Sequence, residues 1–413
     1  MESTQTERRQ ERARRMGFAA RAARRLSAVV ALALGGCAAV APVGTGDLGV
    51  VIERAKGTVA VVNTTSKAVL GEIPGLGDLS HASVVFSRDE RFAYVFGRDG
   101  GLSKVDLLTR RIDVRVMQAG NSIGGAMSQD GRYVAAQNYT PGGVKVFDAQ
   151  TLALVADIPA EYESGKLSRV VGLADAPSVG SGQRFVFSLF DADEIWIADV
   201  LAGQAPRVQR LKQIGHQPYD ALITPDGRYY LAGLFGEDGL ALVDLWAAQP
   251  QARKVLSGYG KGQEPLPVFK MPHLRGWAVA GRHAYLPAIG RHEVLVVDTE
   301  TWREVGRIAV AGQPVFVMAR PDGRQVWVNF AVPDYSRVQV IDTVSNQVVK
   351  TLEPGKAVLH LEFTPRGEQV WISSRDANHV SVVDTSSFAT LATLPLDAPS
   401  GIFFTPRAGR IGF

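Results

Sequence analysis

Residues 78–107 read DLSHASVVFSRDERFAYVFGRDGGLSKVDL, and this stretch contains the unit that decides the fold. Two short apolar runs, SVVF and RFAYVF, stand on either side of a polar segment, and GRDGG follows the second run. Short β-branched and aromatic runs bounded by Gly, Asp and Ser are typical of antiparallel strands joined by tight turns. The stretch therefore predicts a pair of strands, with His81 just before the first and Arg98 just after the second.

The same pattern recurs from residue 48 to the end of the 413-residue chain. A strand ending in Asp or Asn occurs eight times, at spacings of 42 to 54 residues: Asn63, Asp106, Asp148, Asp199, Asp244, Asp298, Asp342 and Asp384. A turn followed by a strand also occurs eight times: Arg91, Arg132, Arg184, Arg228, Arg282, Arg324, Glu368 and Arg410. Units of four short strands at this period are the signature of β-propeller blades. We predict an all-β, eight-bladed propeller; the alternatives are seven blades or a two-domain β-sandwich protein.

The two series are out of phase at the chain ends. Asn63 has no turn of the second series before it, and no strand with a terminal Asp follows Arg410. We expect residues 400–413 to supply inner strands to the blade whose outer strands lie in residues 48–74. This closure would pair both terminal edges and protect them from edge-to-edge association. The predicted organisation is a signal peptide (1–37), a linker (38–47) and the propeller (48–413).

The basic excess of the chain is confined to its N-terminus. Residues 1–37 contain eight Arg and three Glu, so of 45 basic and 41 acidic side chains the remainder carries 37 and 38. A body this close to neutral argues against nucleic-acid binding. The Arg-rich segment is followed by LSAVVALALGG, which is too short to span a bilayer and is typical of an export signal.

The only cysteine, Cys37, ends the segment LGGC. This segment resembles a bacterial lipobox, and the alternative is a signal peptide that happens to contain a cysteine. We expect a periplasmic protein that is anchored to the membrane by lipid on Cys37. With a single cysteine, the mature domain has no internal disulfide.

In a propeller, the first strand of each blade lines the central channel, and its first residues ring one mouth. Ten residues before the turn residue of each blade, the sequence has His81 where other countable blades have small or apolar residues: Ser122, Pro218, Pro314, Val358 and Ser400. A histidine held on a rigid strand and aimed at the axis suits a metal ligand or a general base. A structural role for His81 stays open at this point.

Further polar candidates lie in the same segments of other blades: His216, Tyr219 and Asp220; His273 and Arg275; Arg169 and Asp175; and His360. A mouth with His, Arg and Asp suits a large planar ligand with carboxylates, because arginine binds a carboxylate in bidentate fashion. The sequence has no CxxCH, so no covalently attached c-type haem is expected. It also lacks HExxH, a Walker loop and GxSxG.

Four segments carry a family resemblance: GTGDLGVV (44–51), LGDLSHASVVFSRDERFAYVFGRDGGLSKVDLLTRRI (76–112), residues 118–160 and HQPYDALITPDGRYYLAGLF (216–235). They resemble the NirF family of haem d1 biosynthesis proteins of denitrifying bacteria, which is similar to the d1-binding propeller of cytochrome cd1 nitrite reductase. The resemblance spans essentially residues 45–413.

The resemblance implies roles for individual residues. His81 matches the proximal axial ligand of the d1 haem iron, and Arg98 matches an arginine near the acidic substituents of the macrocycle. On the distal side His273 matches one of two histidines, and Tyr219 or Asp220 stands where the other is expected. Arg169 and Asp175 fall in a NirF-like segment that implies site roles. The nearby Arg275 is a further expected cofactor-binding residue.

The implied function is a late step of haem d1 maturation. The chain would bind haem d1, or a precursor tetrapyrrole, non-covalently, with His81, Asp175 and Asp220 as acid–base groups. The alternative is a scaffold or chaperone that delivers the haem to nitrite reductase, with a related d1 dehydrogenase as a second partner. A true nitrite reductase is disfavoured because the cytochrome c domain is missing and the distal side is altered. An adhesive propeller leaves the polar mouth unexplained. The oligomeric state stays open, and a homo-oligomer is compatible with the resemblance.

Overall fold

The computed structural model describes residues 44–178, 180, 182–259, 278–331 and 335–411. The predicted signal peptide with Cys37, and the candidates His273 and Arg275, lie outside these residues. In the described part of the chain, no helix is both long enough and apolar enough to cross a membrane.

The described chain forms eight four-stranded antiparallel sheets, which confirms the eight-bladed propeller. Its helical segments are short 3₁₀ turns: Thr45–Asp47, Ile289–Arg291, Arg375–Ala377 and Thr405–Gly409. The first strands of neighbouring blades contact one another around the axis, which makes them the inner strands. A small extra hairpin, inserted between blades 3 and 4, consists of β12 (Glu161–Glu163) and β13 (Lys166–Leu167).

The blades have the following strands, from the inside outward. Blade 1 contains β34 (Pro399–Phe404), β1 (Leu48–Glu53), β2 (Thr58–Asn63) and β3 (Ala68–Ile73). Blade 2 contains β4 (Ser83–Phe86), β5 (Phe92–Phe96), β6 (Gly101–Asp106) and β7 (Arg111–Met117). Blade 3 contains β8 (Asn121–Met127), β9 (Tyr133–Thr140), β10 (Gly143–Asp148) and β11 (Leu154–Pro159). Blade 4 contains β14 (Val170–Ala176), β15 (Gln183–Leu189), β16 (Glu194–Val200) and β17 (Arg207–Lys212).

The second half of the ring repeats this order. Blade 5 contains β18 (Pro218–Ile223), β19 (Tyr229–Leu234), β20 (Leu240–Asp244) and β21 (Ala252–Val255). Blade 6 contains β22 (Ala278–Ala280), β23 (His283–Ala288), β24 (Glu293–Asp298) and β25 (Arg303–Ala309). Blade 7 contains β26 (Pro314–Ala319), β27 (Gln325–Phe330), β28 (Val338–Asp342) and β29 (Gln347–Leu352). Blade 8 contains β30 (Val358–Phe363), β31 (Gln369–Ser374), β32 (His379–Asp384) and β33 (Thr390–Pro395).

The repeated Asp or Asn is the last or next-to-last residue of the third strand of every blade, and its hydrogen bonds explain why it recurs. The carboxylate of Asp384 accepts the backbone N–H of Ser386 at 3.1 Å and that of Ser387 at 2.7 Å, which closes the turn to the fourth strand. These backbone donors hold the pKa of Asp384 below its usual range. In blade 2 the same carboxylate position also binds the turn arginine, with Arg91 Nη2 2.6 Å from Asp106 Oδ2. The two sequence series are therefore partners in one turn arrangement.

The ring closes by pairing the two ends of the chain, as predicted. Strand β34 pairs antiparallel with β1, with Gly49 opposite Phe404 and Val51 opposite Ile402. A Cβ on Gly49 would lie 2.5 Å from the Phe404 ring, so this close approach requires glycine. One detail of the prediction is wrong: the C-terminus supplies one inner strand, and within residues 400–411 no strand follows Arg410. The second strand of blade 1 is β1, which already occupies the edge that a further C-terminal strand would need.

Substitution of Phe404 tests the closure. Phe404 is 2% exposed and packs edge-on against Trp371 of blade 8, with ring centroids 5.4 Å apart. We expect Phe404→Ala to lower the free energy of unfolding by about 3–5 kcal/mol through cavity formation. The control Leu391→Ala, on a side chain that is 46% exposed, should change it by less than about 0.5 kcal/mol. Urea unfolding measures both values, and equal losses would contradict the role of β34 in the core.

Candidate functional site

A cavity of about 830 Å³ opens at the mouth where the inner strands begin. Its walls come from the first residues of the inner strands and from turns between second and third strands. This volume lies in the upper part of the range of about 300–1,000 Å³ that is common for small-molecule sites. The mouth can therefore hold a large organic ligand.

Five of the candidate residues from the sequence line this cavity: His81, Arg98, Tyr219, Asp220 and His360. His81 lies two residues before β4 and is half-buried. Tyr219 and Asp220 are the second and third residues of β18 in blade 5, three blades further around the ring. The repeat register thus brings residues that are distant in sequence to one mouth, while their chemical roles stay predictions.

Arg169 and Asp175 do not line the cavity, which corrects their predicted placement. Arg169 is exposed, pairs with Asp191 (Nη2 to Oδ1 2.5 Å) and covers the ring of Phe190 at 4.2 Å. Asp175 is 1% exposed, accepts the side-chain amide of Gln129 and lies 3.9 Å from Arg88. Inner strands begin at the mouth, and Asp175 is the sixth of the seven residues of β14. It therefore lies near the far end of that strand, away from the mouth.

Two further histidines of the prediction occupy different surroundings. His360 lines the cavity, and its Nδ1 accepts the backbone N–H of Ile402 at 3.3 Å. Its ring lies 5.3 Å from Phe316 and 5.4 Å from Phe403, between centroids. His216 lies outside the cavity lining, with its Nδ1 3.2 Å from a carboxylate oxygen of Asp193.

Four cationic residues of the cavity lining were missed by the sequence analysis: Arg54, Lys356, Arg375 and Arg407. Arg54 follows β1 and Arg375 follows β31, as Arg98 follows β5 after one glycine. All three arginines thus occupy the turn between the second and third strands of their blades. The segment GRDGG contained a usable signal, because Arg98 lies in the turn after a second strand. Arginine at the same turn of blades 1 and 8 identifies Arg54 and Arg375.

These cations give the mouth a positive potential. Burial, and then the nearby Arg375, lower the pKa of Arg54, whose guanidinium donates to the carbonyl of Ser80. Arg375 contacts Asp376, with Nε 2.6 Å from Oδ1. Among the residues that the structure describes, the side chains of Arg98 and Lys356 make no hydrogen bond and no ion pair. Charge that the protein leaves uncompensated favours an anionic ligand.

Arg407 also lines the cavity but is compensated by the protein itself. Its guanidinium binds Glu362 in bidentate fashion, with both N–O distances 2.8 Å. Both side chains are largely buried, at 12% and 6% exposure. Arg407 is therefore a structural cation.

In blade 5, Tyr219 lines the cavity and packs against aromatic residues that lie outside the lining. Tyr219 is 8% exposed and lies edge-on to Phe190 at 6.0 Å and tilted to Phe235 at 6.5 Å. Its hydroxyl lies 3.0 Å from that of Tyr139. Burial raises the pKa of Tyr219 far above its usual range, so the phenol is neutral. Next to it, a carboxylate oxygen of Asp220 accepts its neighbour's backbone N–H, from Ala221, at 3.0 Å.

A search of the described residues for three or more His, Cys, Asp or Glu placed to hold a metal ion finds no such group.

Comparison with known proteins identifies the class. The family model described as Cytochrome D1 heme domain matches residues 43–408, nearly the whole propeller. A solved structure of dihydro-heme d1 dehydrogenase NirN in complex with DHE superposes with a TM-score of 0.77 at 26% identity, covering 89% of this chain and 77% of that one.

The relatives then give the particular family. Protein NirF of Pseudomonas aeruginosa is 59% identical over 94% of this chain and 99% of its own length. Dihydro-heme d1 dehydrogenase of the same organism is 30% identical, over 86% of this chain and 70% of its own length. The chain belongs to the NirF family within the cytochrome D1 heme domain proteins, and it has a role in haem d1 biosynthesis.

Two arginines of the cavity lining should respond differently to substitution. Arg407→Gln leaves Glu362 buried without its counter-charge, so we expect the free energy of unfolding to fall by about 3–5 kcal/mol. Arg98→Gln removes an exposed cation and should change it by less than about 0.5 kcal/mol. Urea unfolding of both variants at neutral pH makes the comparison. A loss in Arg98→Gln as large as that in Arg407→Gln would contradict the distinction.

Proposed function

We propose that the cavity binds haem d1 or its immediate precursor tetrapyrrole non-covalently, during a late step of haem d1 maturation. The observation that carries the proposal is the combination of a cavity of about 830 Å³ with two imidazoles and five cationic side chains on its walls, of which Arg407 alone is paired with a buried glutamate. A flat macrocycle with carboxylates needs this volume and these partners.

The donors present fit an iron tetrapyrrole. Such a macrocycle itself holds the iron, so the protein needs to add few donors, and we assign to the imidazole of His81 the role of binding the iron. When bound, the iron centre supplies redox and ligand-binding chemistry. The comparison proteins support the ligand class, since the solved neighbour is a dihydro-heme d1 dehydrogenase in complex with DHE.

The chain's own residues bind and orient the ligand. Arg98 and Lys356 would take carboxylates at the cavity edge, and the ring of Tyr219 would cover apolar surface and exclude water. Asp220 is the predicted carboxylate that lines the cavity, and we assign it proton exchange with the ligand.

A second candidate function is a non-catalytic scaffold that delivers the haem to nitrite reductase and to a related d1 dehydrogenase. One observation favours it. Of the three predicted acid–base residues, Asp175 lies away from the cavity, which leaves His81 and Asp220. A site with few acid–base groups and many binding groups suits a carrier. Wild-type haem d1 yield in cells with Asp220→Asn, together with capture of nitrite reductase, would support the scaffold over chemistry.

We also propose that the protein acts in the periplasm, held to the membrane by lipid on Cys37. The support is the sequence alone: an Arg-rich segment, eleven residues from Leu26 to Gly36 and a single cysteine after them.

Substitution of His81 tests the axial-ligand assignment. We expect haem d1 added to the purified protein to shift its Soret band, and His81→Ala to lose or alter this shift. The apparent Kd should rise about 10-fold or more, since even the partners that support a metal ligand cost 10–100-fold when they are removed. The control is His283→Ala, a half-buried histidine outside the cavity lining, which should keep the wild-type spectrum. An unchanged spectrum in His81→Ala would remove the assignment.

Substitution of Cys37 tests the anchor. A lipid-bearing protein should sediment with membranes and partition into the detergent phase of Triton X-114, because its acyl chains stay buried in lipid. We expect Cys37→Ser to lose both properties. Equal partitioning of the two forms would show that Cys37 carries no anchor.

A further inference from the structure

Glu53 is the last residue of β1, the strand that closes the ring, and its carboxylate is buried. The residue is 0% exposed, and its Oε1 accepts the backbone N–H of Asp397 at 2.8 Å. Among the described residues, no hydrogen bond reaches the other oxygen, Oε2, which is also buried. A buried carboxylate needs hydrogen bonds to replace its lost hydration. For half of this carboxylate the fold does not supply them.

Blade 1 alone has an ionisable side chain at this position of the repeat. In each second strand the position lies five residues after the residue that pairs with the repeated Asp or Asn, as Leu48 pairs with Asn63. In blades 2 to 8 it holds neutral residues: Gly97, Asn138, Leu189, Leu234, Ala288, Phe330 and Ser374. The blade fold therefore does not require a carboxylate here, and Glu53 is specific to the blade in which the chain ends meet.

The position of Glu53 links it to ring closure. In the ladder between β1 and β34, Glu53 stands opposite Pro399, after a bulge between Val51 and Glu53. Because proline has no backbone N–H, it cannot donate to β1 at this point. The hydrogen bond from Asp397 to the carboxylate holds the incoming chain there instead. We call residues 396–398, which connect β33 to β34, together with Glu53, the closing seam.

The closing seam borders the ligand cavity. Arg54, the residue after Glu53, lines the cavity, and so do Ser400 and Gly401, which follow the seam in β34. The hydroxyl of Ser400 also donates to the carbonyl of Ile52 at 3.4 Å. A change in how tightly the seam is held is therefore felt by part of the cavity wall.

Three charged side chains of the described chain act on the Glu53 carboxylate: Lys56, Glu72 and Asp397. The Lys56 ammonium lies 3.8 Å from Glu53 Oε1 and 3.8 Å from a carboxylate oxygen of Asp397, and its side chain is 45% exposed. One solvated cation is thus shared between two carboxylates, which compensates neither fully.

These surroundings favour the protonated form of Glu53. Burial raises its pKa, and the negative charges of Glu72 and Asp397 add to this, against the opposing effects of the Asp397 N–H and of Lys56. The folded chain therefore holds this proton to a higher pH than the unfolded chain does. Protonation stabilises the fold fully below the ordinary pKa of glutamate, and this contribution is lost as the pH rises through the raised pKa.

We propose that Glu53 is a pH-sensitive latch of the closing seam, which holds β34 firmly against β1 when the carboxyl group is protonated and less firmly when it is ionised. The Asp397 N–H bonds to either form, so the difference lies in the cost of burying the charge and in repulsion from Glu72 and Asp397. The inference concerns the seam alone and is independent of the ligand that the cavity binds.

Thermal unfolding of the full-length protein and of its Glu53→Gln variant tests the latch. Glutamine keeps the shape and the acceptor oxygen but cannot ionise. At about pH 7.5 we expect the variant to unfold about 2–4 °C higher than wild type, and at about pH 4 the difference should shrink to less than about 1 °C. The control is Glu368→Gln, a glutamate of blade 8 that is 59% exposed, which should match wild type at both pH values.

Two further measurements separate a latch from a merely structural glutamate. Lys56→Gln removes the shared cation, so the pH at which wild type loses stability should move up, whereas in the Glu53→Gln background it should not move. Hydrogen exchange at neutral pH should be about 3-fold or more slower in Glu53→Gln than in wild type for residues 396–404, and unchanged for residues 240–244 of blade 5.

Equal midpoints of wild type and Glu53→Gln at neutral pH, or a difference that does not depend on pH, would overturn the latch. So would a pH-dependent difference without slower exchange in residues 396–404, because the effect would then lie outside the seam.

Discussion

The pairing of β34 with β1 is the constraint on which the rest of the structure depends. Each blade alone is a four-stranded sheet with exposed edges, and only the closed ring fixes the inner strands around one axis. The chain ends meet at Gly49 and Phe404, so closure depends on tight backbone approach in blade 1. Arg54 directly follows the strand that makes this pairing, and therefore closure also positions one of the arginines that line the cavity.

The same residue type performs different tasks in the cavity because its partners differ. Arg407 and Arg98 both line the wall, but the first has its charge compensated by buried Glu362 and the second has no such partner in the described chain. A guanidinium held in a bidentate pair stabilises the fold, whereas an uncompensated one creates potential for a ligand. The number of arginines in a cavity lining therefore overstates how many anionic groups the cavity can bind, unless the arginines that are paired with the protein's own carboxylates are left out.

Much of the fold could be predicted from the sequence, because the closing turn of each blade demands the same carboxylate or amide. Asp384 accepts two backbone N–H groups that would otherwise be unpaired, so the residue recurs and reveals the period. His81 was found because the repeat register singles it out. Arg54 and Arg375 were missed because the candidates were taken from the residues where inner strands begin. The turns between second and third strands reach the same mouth and were not considered. Asp175 was misplaced because position along an inner strand decides which end of the channel a residue meets.

The arrangement of charge across the cavity bears on whether the site binds or also reacts. Asp220 lies in blade 5, which faces blade 1 and Arg54 across an eight-membered ring. A carboxylate on one side and guanidinium groups on the other set up an electric field across the cavity. Tyr219, neutral because of its burial, separates the carboxylate from the aromatic residues that lie outside the lining. In the proposed function, such a field would hold an acidic macrocycle by one edge and leave its far edge next to the Asp220 carboxylate, so one architecture would serve both retention of the ligand and proton exchange.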